Sequence, residues 1–141
     1  MKYLVSAGWL IYVIAWFVPV ERNLSSLPDG LPGWEALSVA LSPILDPNDS
    51  DGPWYLAVLW TMTGATNLLM AAAPFVFRWG TLRLTRRFGW AFVIAFGINA
   101  YWASVGSDLR VGYFLWWLSF LLLGVGFLRM GRGVGGSITV K

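Results

Sequence analysis

The sequence predicts an all-α integral membrane protein: a four-transmembrane-helix bundle with a short amphipathic interfacial helix in the first external loop. Three observations lead there. Four apolar runs, residues 3–20, 54–77, 88–105 and 111–128, divide the chain into five polar segments. The acidic residues (Glu21, Asp29, Glu35, Asp46, Asp49, Asp51 and Asp108) fall in two of those segments, while Lys2, Arg78, Arg83, Arg86, Arg87, Arg129, Arg132 and Lys141 fall in the other three. Acidic and basic segments alternate, as they do when Lys/Arg-rich segments stay in the cytoplasm and the chain crosses a bilayer repeatedly. The third observation is composition. Hydrophobic residues make up 57% and charged residues 12%, against a charged share of about 25% in soluble domains. Both termini are then cytoplasmic, and residues 1–141 form a single membrane domain.

The first run, 3–20, is just long enough to cross a core of about 30 Å at about 1.5 Å per residue. Its Trp and Tyr content, and the lack of a small-x-small cleavage site after it, predict a retained helix and not a signal peptide. Residues 21–53 form the first external loop. Pro32 stands where a helix would begin. From Gly33 to Leu45, Trp34, Leu37, Leu41, Ile44 and Leu45 share one face, with Glu35, Ser38 and Ser42 opposite, the pattern of a helix lying in the interface. Pro43 is expected to end or kink it.

The run 54–77 is long enough to span with tilt, and Pro74 in its last turn frees the carbonyl of Met70. Residues 78–87 carry four arginines and no acid, predicting a cytoplasmic loop before the third span. A short external loop at 106–110 precedes the fourth span, and a glycine-rich basic tail, 129–141, follows it. One span, a long external loop with an amphipathic helix and three more spans resemble the general layout of small bacterial inner (cytoplasmic) membrane proteins.

Absences restrict the chemistry. There is no Cys and no His, which removes thiol nucleophiles, disulfides and the usual metal ligand and base near neutral pH. No Asp, Glu, Lys, Arg or His lies inside any run, whereas proton-coupled carriers hold their charge at mid-depth. An enzyme is therefore not expected. Asp46, Asn48, Asp49 and Asp51 suggest a cation loop. Started at Asp46, however, an EF-hand pattern fails at its sixth position (Asp51) and its twelfth (Ala57), leaving only a looser carboxylate cluster as a metal candidate. Asn23 and Asn48 each begin a glycosylation sequon that matters only in a eukaryotic host.

The spans offer amides and aromatics instead. Asn67 and Asn99 lie at matching depth, roughly 16–18 Å from the basic surface, and are expected to bond to one another across helices. Small residues recur at Thr63, Asn67 and Ala71, and at Ala91, Ala95, Asn99 and Ala103, predicting close approach of the second and third spans. Most of the ten tryptophans (Trp16, Trp54, Trp102, Trp116 and Trp117 at the outer ends, Trp79 and Trp90 at the inner) read as interface anchors.

Three functional readings follow. The leading one is a non-catalytic accessory subunit or assembly factor, whose partners are other integral membrane protein subunits and membrane lipids. The second is a binder of a pigment (carotenoid or chlorin), quinone or lipid, with Trp9, Trp60, Asn67, Asn99 and Tyr101 as the contact set. The third is an uncoupled channel or transporter past Thr63, Asn67 and Asn99. The basic segments report topology, not nucleic acid.

Overall fold

A computed structural model describes residues 2–21, 31–45, 54–105 and 109–132. Of these, 89% are helical. The elements are α1 (Lys2–Ala15), β1 (Pro19–Glu21), β2 (Leu31–Pro32), α2 (Gly33–Leu45), α3 (Trp54–Trp79), α4 (Leu82–Val105) and α5 (Val111–Arg132). Two helices, α3 and α5, are long and apolar enough to cross a membrane.

α5 is the central helix. Gly126 meets Val5 and Leu4 of α1, and Gly8 of α1 meets Leu122 and Leu123 in return, so α1 and α5 run antiparallel. On the other side, Gly89 of α4 lies against Leu128, and Gly124 against Val93, which makes α4 and α5 antiparallel as well. A Cβ on Gly89 would stand 2.8 Å from the Leu128 backbone nitrogen. The closest approaches thus centre on α5, and not on the α3–α4 seam that the small-residue spacing suggested. The core between α4 and α5 is aromatic: Phe92 stacks on Phe127 at 5.8 Å and tilts against Phe120 at 6.0 Å, and all three are fully buried.

Several boundaries differ from those read in the sequence. α1 ends at Ala15 although its apolar run continues to Val20. Its last turn tightens through bonds from Trp16 N to Val13 O and from Phe17 N to Ile14 O. Pro19 disfavours helix at the residue before it, and from Pro19 the chain is extended. There β1 pairs antiparallel with β2 through Pro19–Pro32 and Glu21–Leu31, while Arg110 N donates to Val20 O at 2.8 Å. Gly112 seats α5 against this patch, where a Cβ would lie 2.6 Å from the carbonyl oxygens of Val18 and Pro19. α2 covers the range read from its periodicity and continues through Pro43 to Leu45.

The loop expected at 78–87 is nearly all helix, since only Gly80 and Thr81 separate α3 from α4. Gly80 N closes the end of α3 on Val76 O at 2.8 Å. Thr81 caps α4, its Oγ1 accepting from Leu84 N, which satisfies one of the free donors of a first turn. Arg83, Arg86 and Arg87 therefore sit on the first two turns of α4.

Candidate functional site

Polar side chains of α1 and α5 converge on Asn67 of α3. Its Oδ1 accepts from Tyr12 OH of α1 at 3.1 Å and from Trp116 Nε1 of α5 at 3.0 Å, while its Nδ2 donates to Gly64 O at 3.3 Å. One amide thus joins three helices. Tyr113 continues the cluster: its ring lies 5.6 Å from that of Trp116, and its hydroxyl donates to the Asn99 carbonyl.

Asn99 is bound differently. Its Nδ2 donates to Ala95 O of its own helix at 2.8 Å, and its Oδ1 is buried with no hydrogen-bond partner. The expected Asn67–Asn99 bond is not made. Asn67 instead bonds Tyr12 and Trp116, and Asn99 bonds its own helix. An orphaned acceptor in a fully buried residue is the one unsatisfied polar atom of this kind among the described residues.

The remaining residues of the contact set disperse. Trp9 donates its indole N–H to Met70 O at 3.3 Å, tying α1 to α3. Trp60 meets Trp102 edge-on at 5.7 Å, and Tyr101 meets the same ring at 5.4 Å. Trp60 and Tyr101 therefore share Trp102 as a neighbour. Asn67 lies two turns along α3 from Trp60, but its partners are Tyr12 and Trp116, and Tyr113 bonds the Asn99 backbone. Asp46, Asn48, Asp49 and Asp51 lie outside the described residues, and among the described residues no group of acids forms a metal site.

Trp102, Trp116 and Trp117 were expected to anchor in headgroups, but they turn their N–H groups inward. Trp102 donates to Thr63 Oγ1 at 2.9 Å, Trp116 to Asn67, and Trp117 to Phe96 O at 2.9 Å while stacking on the Phe96 ring at 4.5 Å. Trp54 and Trp79 remain largely exposed. Tyr12, Tyr113 and Trp116 belong to the central cluster without having been singled out as site residues. A tyrosine hydroxyl in mid-run was the available signal for Tyr12, since a buried hydroxyl needs a partner.

The arrangement ties α1, α3 and α5 together. The chain matches no protein-family model, and no curated protein or solved structure is significantly similar to it. Function rests on the geometry.

Proposed function

We propose that this chain is a four-span integral membrane protein of the bacterial inner membrane, with both termini cytoplasmic, that serves as a non-catalytic accessory subunit or assembly factor of a larger membrane complex. One observation carries the reading. Asn67 and the polar groups of Trp9, Tyr12, Trp102 and Trp116 are engaged in holding helices together, while α3 turns a wide apolar face outward. Val58, Met62, Leu68 and Phe75 are exposed on it, Leu68 at 72% and Phe75 at 62%. Apolar surface of this kind packs against lipid or the helices of a neighbour. The occupant that fits is a transmembrane helix of a partner subunit. α1 measures only about 21 Å as helix; the apolar residues that follow it, to Val20, complete the first crossing. The arginines on the first turns of α4 reach the cytoplasmic interface by extending their side chains along the helix.

A photo-crosslinking residue at Leu68 or Phe75, activated in native membranes, tests this. A discrete adduct with another membrane protein is the expected result. Recovery of the bare monomer or homodimer from gentle detergent, with lipid adducts only, overturns it.

The orphaned Asn99 Oδ1 favours a second reading, a bound lipophilic molecule. An unpaired acceptor calls for a donor, so a quinol or a hydroxylated carotenoid fits better than a quinone. The absorbance spectrum and organic extract of the native protein decide this; an empty extract removes it.

A further inference from the structure

Arg83, Arg87, Trp90, Ile94, Gly97 and Tyr101 fall within an arc of about 80° on α4 at 3.6 residues per turn. All six are exposed. The residues on the opposite side (Thr85, Phe92, Ala95 and Asn99) are buried, so this is the outermost face of the helix. Its chemistry changes along its length. Two cations stand at one end, an indole follows, then an aliphatic residue, a gap, and a phenol. The gap is Gly97, where an added Cβ would meet nothing within 4 Å.

The two arginines are the unfavourable part of this face. They lie one turn apart, where like charges repel, and close to the positive pole of α4, where anions are the stabilising species. No acidic residue occupies the first turn of α4. Neither arginine has a hydrogen-bond or ion-pair partner among the described residues, whose acids, Glu21 and Glu35, belong to the β1 and α2 end of the fold. Arg86 differs, because Gly131 near the C-terminal end of α5 packs against it and offers it that helix's negative pole.

We propose that this face of α4 binds one anionic phospholipid, its phosphate held by Arg83 and Arg87 and an acyl chain laid along Ile94 into the Gly97 notch. This rests on the membrane-embedded reading proposed above. The dimensions agree. Trp90 sits one turn inward of Arg87, at the depth where indoles collect. Ile94 and Gly97 lie about 6 and 10 Å beyond Trp90 at ~1.5 Å per residue, within one leaflet of a core of about 30 Å. Charge complementarity selects an anionic headgroup over a zwitterionic one, each surface cation adding attraction to anionic lipid.

The test is native mass spectrometry of the full chain in mild detergent with equal phosphatidylglycerol and phosphatidylcholine. Preferential retention of one phosphatidylglycerol is expected. The double variant Arg83→Gln/Arg87→Gln should weaken that retention by roughly 30-fold, as expected on losing two surface cations, whereas Arg129→Gln on α5 should keep it. Gly97→Leu, which fills the notch, should reduce retention while leaving the charge unchanged. Equal retention of the two lipids by the unmodified chain overturns the proposal without requiring any variant to fold. An equal loss in Arg129→Gln also overturns it, as does displacement by equimolar glycerol phosphate, which would mark a soluble-anion site. Release of the chain from membranes by an alkaline carbonate wash would defeat the membrane reading itself, whereas a chain that stays embedded without preferring phosphatidylglycerol defeats only the lipid site.

Discussion

The indole N–H of Trp9 donates to the carbonyl of Met70, the one carbonyl of α3 left without its usual helical donor by Pro74. Met70 is fully buried, so without Trp9 that oxygen would lose both its helical donor and water. A proline that weakens one helix therefore creates the acceptor that fastens a second helix to it.

This coupling is measurable. Trp9→Phe keeps a ring and removes the donor, and should destabilise the fold by about 1–2 kcal/mol, the cost of an unsatisfied buried carbonyl. Pro74→Ala supplies a backbone N–H to the same oxygen. In that background Trp9→Phe should lose most of its effect. A double-mutant cycle on unfolding in mixed detergent micelles reads the coupling; strictly additive effects would show that the two residues act independently.

Asn67 and Asn99 should respond to the same substitution with different signs. Asn67→Leu strands the Tyr12 hydroxyl and the Trp116 indole N–H together, a loss of about 1–3 kcal/mol. Asn99→Leu removes an acceptor that has no partner and a donor bonded only within its own helix, so stability should hold or rise. Thermal unfolding of the two variants checks this. Destabilisation by Asn99→Leu equal to that of Asn67→Leu would mean that Asn99 Oδ1 is satisfied in the folded protein.

What the sequence made legible was local or periodic. α2 could be bounded because Pro32 and the apolar spacing of Trp34, Leu37 and Leu41 act within a few residues. The free carbonyl of Met70 follows from Pro74 alone. That Trp9, 61 positions away, fills it is tertiary information. Spacing likewise placed Asn67 and Asn99 along their helices but not the partners that each would find. Trp102, Trp116 and Trp117 were ambiguous for a chemical reason: an indole near a helix end can place its N–H in headgroups or against a neighbouring backbone, and position does not distinguish the two. The stop at Gly80 and the cap at Thr81 went unread, because four arginines made residues 78–87 look like one loop.

The orientation proposed for the chain predicts accessibility. With no native cysteine, single cysteines report cleanly. Ser38→Cys on the exposed face of α2 should react with an impermeant maleimide added to intact cells. Arg83→Cys on α4 should react only after the membrane is opened. Labelling of both positions in intact cells, or the reverse pattern, would refute the assignment of acidic segments outside and basic segments inside.

Two glycines on α4 should give opposite results when replaced by alanine. At Gly89 the new methyl would lie 2.8 Å from both the Leu128 backbone nitrogen and its Cγ. Leucine's side chain can rotate aside but the α5 backbone cannot, so the helices must separate, at a cost of about 1–3 kcal/mol. Beside Gly89 lies Gly124, whose own Cβ would meet the Gly89 carbonyl oxygen at 3.3 Å, so the contact has little slack on either side. At Gly97 the methyl meets nothing, and only the conformational term remains; replacing a mid-helix glycine by alanine should stabilise by roughly 0.5–1 kcal/mol. Paired unfolding midpoints in one detergent decide the matter. A midpoint for Gly89→Ala at or above that of the parent would show that α4 and α5 do not approach as closely as Gly89 and Leu128 require.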